Sequence, residues 1–170
     1  MIKSKQLLIS LIKIALVIGV IAVVVYQAIS SSKLAPTIDF MNIKGEKITA
    51  ESLNGKVRII HFWATSCTTC IAEMPEMIKT YDQFHAKGLE LIAVAMSYDP
   101  PHYVLNFTQT RQLPFHVVLD LKGEIAKTYG DIKLTPTTFV IDKNGSILKR
   151  YVGKPSFSEL HQLLSEKLAH

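Results

Sequence analysis

Residues 7–26, LLISLIKIALVIGVIAVVVY, hold 17 apolar residues in 20. Twenty residues wound as a helix rise about 30 Å, the thickness of a bilayer core. The run predicts one N-terminal transmembrane helix inside an anchor of residues 1–26. Lys3 and Lys5 stand before it, which places the N-terminus in the cytoplasm and the rest of the chain outside. Lys13 is about one turn inside the run and can snorkel to the headgroups. Ala28 and Ser30 also offer a small-x-small pattern that a signal peptidase could cut, so a cleaved leader is the alternative to a retained anchor. Both deliver the remainder to the same side of the membrane. Residues 27–36, QAISSSKLAP, read as a short polar tether to a single domain over 37–170.

Beyond the tether, short apolar β-branched runs alternate with helical patterns. Thr37 to Thr49 predicts a small hairpin with Lys44-Gly45 near its turn. VRIIHFW (57–63), LELIAVAM (89–96) and FHVVLD (115–120) predict strands, the first two buried on both faces. TTFVID (137–142) and SILKRYV (146–152) predict two more, joined by Asn144-Gly145, a strong hairpin dipeptide. Helical spacing runs from Thr68 to about Lys87, with Ile71, Met74, Ile78, Tyr81 and Phe84 on its inner face and Gly88 as its stop. Further helices are expected over 103–111 and 124–129. A last one is capped by Ser156 with Glu159 in a capping box, and turns Leu160, Leu163, Leu164 and Leu168 inward. The order is hairpin, β, α, β, α, β, α, β, β, α, which predicts an α/β domain with a central mixed sheet.

Charge changes the picture only by where it sits. The chain of 170 residues carries 19 Lys and Arg against 14 Asp and Glu, a net charge of +5. From residue 34 onward the balance is 15 against 14, so the excess belongs to the membrane segment. No basic tract or basic-aromatic stripe remains, and nucleic acid is excluded as a partner.

Both cysteines of the chain fall in one motif, Cys67-Thr68-Thr69-Cys70, between a predicted strand and a predicted helix. On a first helical turn, residues three apart can reach disulfide distance. Cys67 at the helix N-terminus would have its thiolate, the reactive form, stabilised by the dipole. Cys70, deeper, would resolve a mixed disulfide. Three other readings compete. A four-residue disulfide loop is a poor staple, a zinc site would need ligands that no second pair supplies, and two sulfurs with a histidine could handle copper. A redox pair accounts best for the motif and needs no cofactor or metal beyond the Cys67–Cys70 disulfide.

The whole soluble part, about residues 34–168, resembles the membrane-anchored, thioredoxin-fold thiol–disulfide oxidoreductases of the TlpA/ResA type. The resemblance rests on Phe62-Trp63-Ala64-Thr65, the Cys pair, Glu73-Met74-Pro75, Gly123-Glu124-Ile125-Ala126, Thr135-Pro136-Thr137-Thr138-Phe139 and Val140-Ile141-Asp142-Lys143-Asn144-Gly145. It implies a thioredoxin-like fold with an N-terminal hairpin extension. Cys67 would be the attacking and Cys70 the resolving cysteine, and Pro136 a cis-proline facing them. Thr135 would then be able to pair with a client's main chain. Glu73 matches a glutamate that manages the protons of the cysteines, where partial burial would raise its pKa; a solvated helix glutamate is the alternative. Pro75 should kink the helix, and Glu76 reads as surface.

Two positions depart from the pattern. Ser66 stands where many relatives have tryptophan, so a docking platform is missing. Trp63 remains as a candidate client-binding residue, although core packing suits it better. His61 occupies a position that holds a buried acid in thioredoxins and often a neutral amide in TlpA-like proteins. A proton carrier behind Cys70 and a hydrogen-bonded core histidine are both open to it. His85, His102, His116, His161 and His170 show no ligand spacing and read as surface or loop positions; Met74, Met77 and Met96 suit the core.

The function expected is thiol–disulfide exchange with client proteins on the periplasmic side of a bacterial cytoplasmic membrane. The chain would be a single-pass monomer, recharged by a membrane-embedded electron donor. The resemblance suggests reductive service, such as cytochrome c maturation. Thr68-Thr69 has neither the proline common in reducing members nor the histidine of strong oxidants, so an oxidant or isomerase stays open. A thiol peroxidase is disfavoured because Ile60 stands where its motif needs proline. A copper-handling binding module is the remaining alternative.

Overall fold

The computed structural model describes residues 13, 14, 16–21 and 33–169. The chain divides into two units, Met1–Lys33 and Leu34–His170. In the first, residues 13, 14 and 16–21 are helical and their apolar side chains, Ile14 and Leu16 to Ile18 among them, are exposed. Among the described residues no helix is long and apolar enough to cross a membrane. Most of the apolar run 7–26, and with it the expected transmembrane helix, lies outside the described residues, as does His170.

In the second unit the strands are β1 (Phe40–Met41), β2 (Lys47–Ile48), β3 (Val57–Trp63), β4 (Leu89–Ala95), β5 (His116–Leu119), β6 (Thr137–Ile141) and β7 (Ile147–Val152). The α-helices are α1 (Thr68–Phe84), α2 (Pro101–Arg111), α3 (Glu124–Thr128) and α4 (Phe157–Leu168). The five-stranded sheet has the order β5-β4-β3-β6-β7. Strands β3, β4 and β5 are parallel, while β6 and β7 run antiparallel beside β3, so the sheet is mixed. The apolar runs of β3 and β4 are buried along nearly their whole length because each lies between two strands and under helices on both faces.

The period of two along β3 sorts the core. Val57, Ile59 and Trp63 point into the layer shared with Met74 and Met77 of α1, Val104 of α2 and Leu160 and Leu164 of α4. Ile60 and Phe62 point the other way, to Ala126, Tyr129, Phe139 and the hairpin residues Phe40 and Ile48. The β1–β2 hairpin turns on Asn42, whose Oδ1 accepts the backbone N–H groups of Lys44 and Glu46. It then covers the β5 edge, where Ile43 N–H donates to the Val117 carbonyl at 2.9 Å.

Helix α1 is rotated from the expected face. Its buried residues are Cys70, Glu73, Met74, Met77, Thr80, Tyr81 and Phe84, whereas Ile71 and Ile78 are only partly buried. Packing against β3 draws the Cys70–Glu73–Met77 line inward, although two of those residues are polar or reactive. The α-helix ends at Phe84 and a short 3-10 turn, His85–Lys87, carries the chain to Gly88, whose φ of +101° suits glycine.

Helix α3 is only five residues long and depends on one carboxylate. Asp120, almost fully buried, accepts from Ile125 N–H at 3.1 Å and Ala126 N–H at 2.8 Å. Asp120→Ala should lower stability by about 1–2 kcal/mol, since two helix-start N–H groups lose their acceptor. Urea unfolding monitored by far-UV circular dichroism checks this; an unchanged midpoint would contradict it.

Candidate active site

The site begins where β3 runs out. After Trp63 the backbone leaves the sheet, and its turn is fixed from the neighbouring strand's loop by Asp99. The Asp99 carboxylate accepts the Thr65 N–H at 2.6 Å and the Thr65 hydroxyl. Asp99 is almost fully buried, and both bonds reach the loop two residues before Cys67. The sequence reading missed Asp99. An aspartate before Pro100-Pro101 reads as a helix start, and nothing along the chain signals that it reaches back 34 residues.

Cys67 is the N-cap of the 17-residue helix α1. Its Sγ accepts the Cys70 N–H at 3.2 Å and its carbonyl accepts the Ile71 N–H at 3.0 Å. Cys67 and Cys70 are joined by a disulfide with a Cα–Cα distance of 5.2 Å. The two sulfurs are unequal in access: Cys67 is half-buried among the exposed Ser66, Thr68 and Thr69, while Cys70 is fully buried. The N-cap position brings the unpaired N–H groups of the first helical turn toward Cys67, so negative charge on its sulfur is favoured there.

Below Cys70, one turn along α1, Glu73 is fully buried, and neither of its carboxylate oxygens has a hydrogen-bond partner. Burial pushes its pKa up from 4.5 to about 7, against a small opposing pull from Lys154. Across the core, His61 on β3 is also fully buried. Its Nδ1 shares a hydrogen bond with the Thr138 hydroxyl of β6 at 3.0 Å. Its Nε2 has no hydrogen bond and lies 3.8 Å from Glu73 Oε1. Burial pushes the His61 pKa down to about 4. Between these values imidazole and carboxyl are both neutral, and a contact of 3.8 Å is too long for a hydrogen bond. Glu73 is therefore not a solvated helix residue, and His61 is a hydrogen-bonded core histidine with one nitrogen left open toward an acid.

The Thr135–Pro136 peptide bond is cis, Pro136 is buried, and its carbonyl accepts the Gly153 N–H at 2.8 Å. Thr135 is partly exposed, and its hydroxyl shares a hydrogen bond with the hydroxyl of Tyr98 at 3.1 Å. Tyr98 is a second residue that the sequence reading missed. Trp63 is a correction: it is fully buried, with its ring 5.4 Å from that of Phe107, and offers no surface to a client. Glu76 pairs with Lys79 at 2.8 Å. Three of the histidines read as surface or loop positions lie in strands or α-helices: His102 on α2, His116 on β5 and His161 on α4. His116 on β5 lies 3.2 Å from Asn42 Nδ2, and His161 on α4 shares a hydrogen bond with the Thr80 hydroxyl at 2.8 Å.

Geometry of this kind can exchange a disulfide: an accessible sulfur at a helix start, a buried partner in bond with it, and a buried acid one turn below. Comparison with known proteins agrees. Residues 30–164 match the Redoxin family. The chain is 33% identical over 171 residues to the thiol-disulfide oxidoreductase ResA of Bacillus cereus, covering 96% of this chain and 98% of that protein. Among solved structures it resembles a thiol:disulfide interchange protein of the thioredoxin family from Chlorobium tepidum. There the identity is 25% and the TM-score 0.74, over 82% of this chain and 98% of that one. It also resembles StoA from Bacillus subtilis, at 30% identity and a TM-score of 0.64 over 75% of this chain and 98% of that one.

Proposed function

Because the chain belongs to the redoxin family and is a thiol–disulfide oxidoreductase of the ResA type with a thioredoxin-like fold, we propose that it reduces disulfides of client proteins outside the cytoplasmic membrane. In this reading it is a monomer held by a single-pass helix in residues 7–26. A membrane-embedded electron donor re-reduces it. Cytochrome c maturation is the kind of process it serves. The observation that carries the reading is the asymmetric disulfide at the start of α1, with Cys67 reachable and Cys70 buried.

The reduced Cys67 thiolate attacks one sulfur of a client disulfide. A Cys67–client disulfide forms, and the client's other sulfur leaves as a thiolate that takes up a proton. Cys70 then loses its proton and attacks Cys67 Sγ, which closes the disulfide and releases the client's second thiol. The client gains two electrons and two protons, and the Cys pair loses them. Glu73, one turn from Cys70 on the same buried face, is the acceptor for the Cys70 proton. His61 holds the open imidazole nitrogen through which that proton can pass. In this reading Thr135, which precedes the cis Pro136 and is hydrogen-bonded to Tyr98, offers its backbone to the client strand.

The reduction potential of the Cys67–Cys70 couple tests the direction. A value near about −270 mV, as in thioredoxin, is expected; a value near about −120 mV would make the protein an oxidant. Anchoring has its own test. The chain should stay with membranes through alkaline carbonate extraction, and its release into the supernatant would mean that the apolar run is cleaved.

A further inference from the structure

Beside the loop that carries Cys67 runs a groove of about 510 Å³. One wall is Ser66 and the turn at Tyr98 and Asp99; the other is a face of α2 with Tyr103, Phe107 and Arg111. These three residues stand four apart and so follow one side of the helix. From Tyr103 to Arg111 the stripe is about 12 Å long. Tyr98 and Tyr103 are 57% and 55% exposed. Among the described phenylalanine, tyrosine and tryptophan residues they are the two that are exposed, and both are here.

The charged residues that line the groove are Asp99 and Arg111. The Asp99 carboxylate is buried and consumed by Thr65. Arg111 closes the far end. Its guanidinium lies 5.8 Å over the Phe107 ring, and it makes no ion pair among the described residues. The near end meets the reacting centre, because Ser66 directly precedes Cys67. The Tyr98–Thr135 hydrogen bond joins this wall to the loop of Pro136. Ser66 is small and exposed, so the space in front of Tyr98 and Tyr103 stays empty where a large side chain would fill it.

We propose that this groove is a client subsite. It takes an aromatic side chain adjacent to the client's reacting cysteine, and its Arg111 end takes a carboxylate about four residues along the extended client segment. The spacing follows from the 12 Å stripe, since an extended chain advances about 3.3 Å per residue. The aromatic ring meets the edges and faces of Tyr98 and Tyr103. The carboxylate meets the one cation of the groove. The proposal rests on the reading that Cys67 exchanges with client proteins, and it names which clients are preferred.

The test uses the reduced full-length chain in detergent, with peptides whose single cysteine is blocked by 2-mercaptoethanol as a mixed disulfide. A peptide with tyrosine beside the cysteine and glutamate four residues before or after it should react about tenfold faster than one with alanine and lysine there. Ser66→Trp should erase the preference for tyrosine by occupying the groove. Arg111→Glu should reverse the preference between glutamate and lysine. Equal rates for all peptides, with hydroxyethyl disulfide still reduced, would overturn the subsite and leave the redox reading standing. Failure to reduce hydroxyethyl disulfide as well would overturn that reading and the subsite with it.

Discussion

Cys67→Ser is expected to bring client disulfide reduction down to the uncatalysed rate, a loss of at least roughly a thousandfold, because the hydroxyl is no substitute for a thiolate nucleophile. Cys70→Ser should do something different. It keeps the first attack and removes the second, so a Cys67–client disulfide accumulates and survives non-reducing electrophoresis. The asymmetry is argued from burial: Cys67 is half-exposed at the N-cap, while Cys70 is fully enclosed by α1 and the sheet. A client can reach the first sulfur and not the second. The two variants together also separate exchange chemistry from a structural disulfide. A staple would lose stability equally in both and trap no client. If Cys67→Ser traps client and Cys70→Ser does not, the roles are reversed and the access argument fails.

The apolar runs were enough to place the central strands of the sheet, because strands buried on both faces must be nearly continuous in apolar residues, as Leu89–Ala95 is, whereas the mostly uncovered β7 followed from the Asn144-Gly145 turn. The Cys pair, too, was visible, since its spacing and its place between a strand and a helix are local properties. What was not visible is what the third dimension adds. Residues 61 and 73 could each be singled out, but their approach to 3.8 Å depends on the rotation of α1 against β3. That rotation departs from apolar periodicity in order to bury Glu73. Asp99 reaching Thr65, and Tyr98 reaching Thr135, are contacts between loops that no period encodes. Trp63 shows the converse: its place near the motif suggested a client contact, yet the period of two along β3 already turned it toward the core.

The His61–Glu73 pair carries the sharpest pH prediction. Glu73 is raised from 4.5 to about 7 because burial disfavours its charged form. Its contribution to stability is full below pH 4.5 and is lost as pH rises through 7, by on the order of 3 kcal/mol. His61 is lowered from 6.5 to about 4 for the same reason. Its contribution is full above pH 6.5 and is lost as pH falls through 4, again by on the order of 3 kcal/mol. Between pH 4.5 and 6.5 the two slopes oppose each other and nearly cancel in the natural chain. Each single variant should unmask one of them. Relative to the natural chain, Glu73→Gln should gain stability as pH rises from 4.5 to 7, and His61→Asn should gain as pH falls from 6.5 to 4. Urea unfolding across pH 4–8 reads both. Were the pair an ion pair, both variants would instead be destabilised throughout the middle of this range, because each would strand a buried charge. The same two variants test the chemistry. Release of the Cys67–client disulfide should rise with pH about a midpoint near 7 as Glu73 becomes able to take the Cys70 proton. Glu73→Gln should flatten that rise and slow release by about a hundredfold. His61→Asn should slow release while leaving the first attack by Cys67 unchanged. Exchange rates identical to the natural chain's from pH 5 to 9 would reduce His61 to a core residue and leave Glu73 to act alone.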